Sequence, residues 1–277
     1  MNIISGEEFQ NLTEVSFFAE SNWIIENQLR HKGQKLLRIA DTPVEEVKQY
    51  KTIFIYSHFV HDFMNKFLLH LQPGTIIVTH NSDDGINEQH LKYIESSNIK
   101  KWFCQNRYIN HPKLHSLPIG IANSQWPHGN QQLISNIRSE NNIKNNLVFK
   151  NFDSGTNFSK RIICDQITSK NGIFMWGKKP NDEYWRDISK SYFTICPHGN
   201  GVDSHRIWEC LYLRSVPIVE DHECFRQFAH LPIVFCKDWN NITIEYLNRQ
   251  IDKCNKVDWN VLDLYIESWK KRFTDSD

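Results

Sequence analysis

The sequence lacks the features that would place it in several common classes of protein. It has seven cysteines, an odd number, and no Cys-x-x-Cys pair, which excludes a zinc ribbon and a thioredoxin-like motif. Its apolar runs are far shorter than the roughly 20 residues that a membrane helix needs. Its N-terminus lacks the basic and apolar regions of a signal peptide. We therefore expect buried free thiols, no membrane span, and a chain that is soluble, not secreted and cytoplasmic.

The sequence also lacks an excess of charge of either sign. Lysine plus arginine number 32, and aspartate plus glutamate number 32. No net field therefore draws the chain toward nucleic acid or an acidic membrane surface. From this balance we expect no nucleic-acid partner, and any polyanion that does bind would have to meet a local basic patch.

Apolar segments alternate with amphipathic ones along most of the chain. This alternation predicts an α/β fold with parallel sheets covered on both faces. A polar, asparagine-rich stretch over 131–146 predicts the passage between two lobes. The expected domains are an α/β lobe over 1–140, a second over 141–257, and a helical segment over 258–277 that packs back on the first lobe. The predicted strands cover 52–56, 75–79, 101–104, 114–121, 147–149, 172–176, 192–196, 217–219 and 233–235, and the predicted helices cover 43–50, 59–71, 87–96, 158–167, 183–190, 244–254 and 261–272.

The most informative segment is 192–219, which combines a buried strand, a loop with Gly199 and Gly201, a helix and a second strand. Glycines let a backbone approach a phosphate closely, and a helix N-terminus presents N–H groups to an anion. The Gly-x-Gly pattern lacks the third glycine of a dinucleotide-binding fingerprint. The segment predicts a phosphate-binding loop of some kind.

Three charged residues of this segment, Asp203, Arg206 and Glu209, lie three residues apart along one side of the predicted helix. An arginine there can clamp a diphosphate, and a carboxylate one turn further can accept two hydrogen bonds from a ribose diol. Asp203 or Ser204 would cap the helix. The alternative is that Arg206 and Glu209 form an ordinary surface ion pair.

The same segment resembles the C-terminal signature of the exostosin-like glycosyltransferases, glycosyltransferase family 47. The resemblance implies a GT-B fold of two Rossmann-like lobes facing a cleft, a nucleotide sugar bound in the C-terminal lobe and an acceptor bound by the N-terminal lobe. Ser215 departs from the small glycine or cysteine that is usual there. The matching residues are Pro197, Gly199, Ser204, Arg206, Glu209, Pro217, Ile218 and Val219.

A looser match over 148–161 resembles the strand and loop that open the nucleotide lobe in related enzymes. It makes Arg161 a second candidate for the diphosphate. The short chain resembles the compact exostosin-like enzymes of large algal viruses, the chloroviruses, which implies a xylosyltransferase in the cytoplasm of an infected host cell. The expected donor is a UDP-sugar such as UDP-xylose. The expected donor-binding residues are Arg161, His198, Gly199, Gly201, Asp203, Ser204, Arg206 and Glu209.

The first lobe is expected to supply the catalytic base. Ligands of open α/β sheets lie beyond the carboxyl ends of the strands, where this sequence has polar residues. A carboxylate or histidine in that place can take the proton of an acceptor hydroxyl. The candidates are Asp83 and Asp84, followed by His80 and His58. The alternative is that 81–85 is simply a turn, because Asn, Asp and Gly favour turns.

A metal site has little support in the sequence. The sole Asp-x-Asp, at 275–277, ends the chain, where terminal residues are commonly solvated. We therefore expect transfer of the sugar from a UDP-sugar to a glycan hydroxyl with inversion, with no metal and no other cofactor. Two alternatives are a non-catalytic glycan-binding protein and a metal-dependent GT-A transferase centred on Asp83 and Asp84.

Overall fold

The computed structural model describes residues 2–19 and 34–274. The chain forms two compact units, one made of Met1–Ile119 with Tyr265–Asp277 and one made of Gly120–Leu264. Each contains a sheet whose paired strands are parallel, so the predicted α/β class is confirmed. The expected boundaries of the acceptor-binding lobe, at residue 140, and of the donor-binding lobe, at residue 257, stay a prediction.

The first unit is built on a six-stranded parallel sheet with the order β2-β1-β3-β4-β5-β6. The chain moves outward from β1 to β2 and then returns to the other side of β1, which creates a topological switch point between β1 and β3. Switch points of this kind are where open sheets bind ligands. The strands are β1 Val15–Phe18, β2 Lys35–Arg38, β3 Thr52–Tyr56, β4 Thr75–His80, β5 Ile99–Cys104 and β6 Leu114–Ser116.

Helices cover this sheet because their apolar residues recur at helical spacing. In α2 the residues Val60, Phe63, Met64 and Phe67 are buried and lie on one face. The C-terminal helix Ile266–Thr274 belongs to this unit. The remaining elements are helices α1 Gly6–Gln10, α2 Val60–Phe67 and α3 Leu91–Ile94, with 3-10 turns at Val44–Gln49, Ser57–Phe59, Leu68–His70 and Glu88–His90.

The second unit contains a four-stranded parallel sheet with the order β10-β9-β8-β7, so neighbours in the sheet are neighbours in the chain. Its core includes Phe193, Ile195, Ile218 and Leu247, all fully buried. The strands are β7 Asn146–Phe149, β8 Ser191–Ile195, β9 Val216–Glu220 and β10 Val234–Cys236, and the helices are α4 Gln131–Ser139, α5 Phe158–Lys170, α6 Asn181–Ser189, α7 His205–Tyr212 and α8 Ile244–Cys254, with short 3-10 turns between them.

No helix in residues 2–19 or 34–274 is long and apolar enough to span a membrane. The longest helix of those ranges, α5, has 13 residues, which is shorter than the bilayer core requires.

The structure departs from the predicted elements in several places. Strands β1 and β2 were not predicted, and the strand predicted over 114–121 ends at Ser116. The polar stretch predicted as a passage contains helix α4, which buries Ile134 and Ile137. Residues 172–176 do not form a strand, because Gly172 has a φ of 84° and ends the preceding helix in a turn.

Candidate functional site

The loop after β8 leads into α7 with polar side chains that stay inside the protein. Ser204 occupies the N-cap position of α7, but its side chain makes no capping hydrogen bond, and its Oγ is buried without a partner among the described residues. Asp203 instead accepts hydrogen bonds from the indole N–H of Trp208 at 2.9 and 3.0 Å. Ser204 therefore occupies the predicted N-cap position, but its side chain does not make the expected capping bond.

Arg206 and Glu209 meet at an aromatic pair from α6. Arg206 donates from Nε to the Tyr184 hydroxyl at 2.8 Å. Glu209 is 5% exposed; burial raises the pKa of Glu209, and the charge of Arg206 and the nearby Trp185 and Tyr184 oppose this rise. Since Glu209 is buried, these residues do not form the exposed ion pair that was the alternative interpretation.

Arg161 approaches the same loop from α5. It is 5% exposed and donates from Nε to the His198 carbonyl at 2.8 Å and from Nη1 to the Asp153 carbonyl at 2.7 Å. Its Nη2 would lie 3.4 Å from a Cβ placed on Gly199, so a larger side chain at position 199 would crowd it. Burial, followed by the charge of Arg206, lowers the pKa of Arg161 to about 10. The two arginines are therefore close enough to repel each other.

Three guanidinium nitrogens of this pair are unused. Among the described residues, none accepts a hydrogen bond from Nη2 of Arg161 or from Nη1 and Nη2 of Arg206. None of the three is among the buried atoms that lack a partner, so each is open to solvent or to a ligand. The two neighbouring cations repel each other, and an anion with several acceptor oxygens would offset this repulsion, so the geometry suits a phosphate or diphosphate.

The rest of the loop after β8 is held by hydrogen bonds to its backbone. Asn157, the N-cap of α5, donates from Nδ2 to the Gly199 carbonyl at 2.7 Å. Gly199 and Gly201 are both buried. The Nε2 atom of His198 is buried without a partner among the described residues, and burial lowers the pKa of His198. The structure thus brings His198, Gly199 and Arg161 together; their role in donor binding stays a prediction.

The aspartates proposed as bases lie in an exposed turn after β4. Asn81 has a φ of 59°, the backbone N–H of Asp84 donates to Ser82 Oγ at 3.2 Å, and the Asp83 carbonyl accepts from Asn106 at 3.1 Å. Both aspartates are exposed. The segment is therefore a turn, as the alternative interpretation held, and its carboxylates face solvent at the carboxyl end of the sheet.

The two histidines proposed as bases in the first unit, His58 and His80, differ in their surroundings. Burial lowers the pKa of His58, and the nearby charge of Asp84 opposes this shift, so His58 and Asp84 lie within electrostatic reach. His80 is 1% exposed; its Nδ1 accepts from the backbone N–H of Asn81 at 2.7 Å, and its Nε2 lies 3.1 Å from the Pro118 carbonyl. Both ring nitrogens of His80 are thus engaged within the fold, and the expectation that His80 serves as a reserve base is corrected.

Sequence reasoning missed several residues of the site. Tyr184 and Trp185 lie near Glu209, and Lys160 Nζ lies 3.5 Å from Glu220 Oε2. The adjacent aromatic pair in a short amphipathic helix was the one available signal, and it is more often a sign of core packing.

The described residues contain no group of three or more His, Cys, Asp or Glu side chains that could hold a metal ion. The Asp-x-Asp at 275–277 lies outside the described residues. The expectation of metal-independent transfer stays a prediction.

Comparison with known proteins gives a match to a family model and similarity to solved structures. Residues 175–273 match the model of the RXYLT1 C-terminal domain. That part of the chain is similar to a xylosyltransferase-like family. The match spans Tyr184, Arg206 and Glu209 but begins after Arg161. A search of curated proteins gives no significant match.

The solved structures include an alpha-glucosyltransferase in complex with UDP and a 13-mer DNA containing a central A:G mismatch. It is 9% identical, covers 95% of this chain and 93% of its own, and has a TM-score of 0.34. Another alpha-glucosyltransferase, in complex with UDP-glucose and DNA containing an abasic site, is 10% identical, covers 94% and 92%, and has a TM-score of 0.33.

Both of these structures contain DNA, and the expectation of no nucleic-acid partner is withdrawn. Its physical weakness is that a balanced net charge excludes only a long-range field, whereas phosphates bind to local clusters of lysine and arginine.

Proposed function

We propose that this protein is a glycosyltransferase that moves a sugar from a UDP-sugar to a glycan hydroxyl, with inversion at the anomeric carbon and without a metal ion. UDP-xylose is the proposed donor. The observation that carries the proposal is the pair Arg161 and Arg206, two neighbouring cations with three unused donor nitrogens beside a glycine loop. The family match over 175–273 supports the same class of reaction.

In this proposal the donor diphosphate accepts hydrogen bonds from Nη2 of Arg161 and from both Nη atoms of Arg206. The N-terminus of α7 adds a favourable dipole. Glu209, which lies near Tyr184 and Trp185, accepts hydrogen bonds from the ribose hydroxyls with its carboxylate oxygens. The arginines would stabilise the charge that develops on the leaving diphosphate, which is the part of such a transfer that most needs stabilisation.

The chemical step begins with removal of a proton from the acceptor hydroxyl. We assign this to Asp83 or Asp84, with His58 near Asp84. The acceptor oxygen then forms a bond to the anomeric carbon as the bond to the diphosphate oxygen breaks, and UDP leaves with the electron pair. Attack opposite the leaving group inverts the anomeric carbon.

The donor site is tested by calorimetric titration with UDP in the presence of EDTA. The wild-type protein should bind UDP, and Arg206→Ala should lose about 100-fold or more in affinity, since a hydrogen bond to a charged group contributes about 1.5–3 kcal/mol. Arg249→Ala, which removes an arginine that pairs with Glu245 on the surface, is the control. Equal UDP affinity in wild type and Arg206→Ala would refute the site.

Turnover is tested by UDP release from UDP-xylose and UDP-glucose with glycan and duplex DNA acceptors. A glycan-dependent release in EDTA supports the proposal as stated. Release that depends on DNA would change the acceptor class, release that requires an added divalent ion would favour a metal-dependent mechanism, and glycan binding without release would indicate a non-catalytic protein.

A further inference from the structure

A second polar cluster lies at the carboxyl ends of β8 and β9. The two strands run side by side, with Ile195 opposite Ile218 and the N–H of Cys196 bonded to the Ile218 carbonyl at 2.9 Å. The next polar side chains along these strands are His198 and Glu220. We call His198, Glu220 and Lys160 the β8–β9 cluster.

The cluster contains two buried polar atoms that no described residue satisfies. Oε1 of Glu220 and Nε2 of His198 are both buried without a hydrogen-bond partner. The other carboxylate oxygen of Glu220, Oε2, lies 3.5 Å from Lys160 Nζ. A buried donor or acceptor that stays unsatisfied costs about 1–3 kcal/mol. These atoms are therefore placed to be satisfied by a ligand.

The chemistry of the cluster suits hydroxyl groups better than phosphate. Glu220 offers an acceptor and a negative charge that would repel a phosphate, while Lys160 offers donors. Burial lowers the pKa of His198, and Glu220 opposes this shift, so the imidazole is neutral near neutral pH and can donate or accept. A sugar hydroxyl can donate to the carboxylate and accept from the ammonium or the imidazole. The Lys160 side chain is 54% exposed, so the cluster reaches solvent.

The cluster adjoins the proposed diphosphate site through the backbone of one residue. The His198 carbonyl accepts from Nε of Arg161 at 2.8 Å, while its ring interacts with Glu220. Glu209, the proposed ribose contact, lies instead near Arg206 and Tyr184. A diphosphate across the two arginines would thus have its nucleoside toward Glu209 and its sugar toward Glu220.

We propose that Glu220, together with Lys160 and His198, binds the hydroxyls of the sugar that is transferred and so determines which UDP-sugar is accepted. This inference rests on the proposed function, because it assumes that the arginines hold the diphosphate. It adds Glu220 and Lys160 as specificity residues.

The test compares UDP with UDP-xylose and UDP-glucose by calorimetric titration of Glu220→Gln and Lys160→Met. Both variants should bind UDP within about twofold of wild type. Both should bind the preferred UDP-sugar about tenfold more weakly, which corresponds to one charge-assisted hydrogen bond of about 1.4 kcal/mol. Lys160 is largely exposed, so its variant tests the cluster with little risk to folding.

Glu245→Gln, which alters an exposed carboxylate paired with Arg249, is the matched control and should change neither affinity. If both cluster variants lower the affinities for UDP and UDP-sugar equally, or change neither, the cluster does not bind the sugar. If wild-type protein binds no UDP at all, the proposed function itself fails. The two failures are therefore distinguishable.

Discussion

The two units carry polar residues at the carboxyl ends of their sheets, but the residues are in opposite situations. In the first unit, His80 is buried with both ring nitrogens engaged, and Asp83 and Asp84 are exposed in a turn. In the second unit, Arg161 and Glu209 are buried, and Arg161 keeps a donor that no described residue uses. The polar groups named in the first unit are bonded within the fold or face solvent, whereas the second unit keeps a buried arginine with a donor nitrogen that a ligand can reach.

A comparison within the second unit makes the same point. Lys150 is 0% exposed, forms an ion pair with Asp165 at 2.8 Å, and donates to Thr168 at 2.9 Å and to the Ile173 carbonyl at 2.6 Å. It is a fully satisfied structural cation. Arg161 is also buried, but only its Nε and Nη1 donate hydrogen bonds to described residues. Unused donors, rather than burial, therefore distinguish a binding residue from a structural one.

Substituting the exposed aspartates should give the largest effect and tests whether the polar residues of the first unit take part in the reaction. If Asp83 or Asp84 is the base, its replacement by asparagine should lower the rate of UDP release by about 100-fold or more and leave UDP affinity unchanged. Asp62→Asn, at an exposed position on α2, is the control. Full turnover in both variants would remove the first unit's turn from the mechanism.

Lys150→Met should lower the free energy of unfolding by about 1–3 kcal/mol, because it leaves the Ile173 carbonyl without the donor that it has inside the protein. Urea denaturation would measure the change. The control is Lys170→Met, which changes an exposed lysine in the last turn of α5. A loss below about 1 kcal/mol would show that Lys150 is not the structural cation described above.

Arg161→Lys should weaken UDP binding by about tenfold, because lysine keeps the charge but loses the planar group that presents Nη2. The measurement is calorimetric titration, with Arg249→Lys alongside. Unchanged affinity in Arg161→Lys would show that the unused nitrogen has no ligand.

The smallest expected effect is on pH dependence. Burial lowers the pKa of His90, His115, His128 and His198. The unfolded chain therefore binds more protons than the folded chain as pH falls below about 6.5. The free energy of unfolding should decrease from pH 7.5 to pH 5.5, as measured by urea denaturation at each pH. A stability that rises over this interval would contradict the pKa directions.

The sequence predicted those elements whose residues pack in a regular pattern. The apolar run of β3, the strands on either side of the glycine loop and helix α8 follow their predicted bounds closely. Strand β2 was missed because it is short, carries Lys35 and Arg38, and is only partly buried; it pairs with β1 alone in the described part of the sheet. Its strand conformation comes from that pairing, which a local pattern does not contain.

Only part of the candidate site was predicted, again because a local sequence pattern does not contain the tertiary contacts of each side chain. The spacing of Asp203, Arg206 and Glu209 identified the helix that carries the charges, but the side chain of Asp203 turns to Trp208. Glu220 carried no motif, and its importance comes from an unsatisfied oxygen. Such a property depends on what surrounds the atom.

The sequence by itself determined the alternation of strands and helices, the glycine loop and the residue types that can meet a diphosphate. Only the tertiary structure decided which of their polar atoms remain unused. The partners that settle this are remote in the chain: Tyr184 lies 22 residues from Arg206, His198 lies 37 from Arg161, and Pro118 lies 38 from His80. Whether a polar atom has a hydrogen-bond partner depends on its surroundings in the folded protein. Local spacing therefore identifies candidate residues, and tertiary packing determines which of their polar atoms remain available to a ligand.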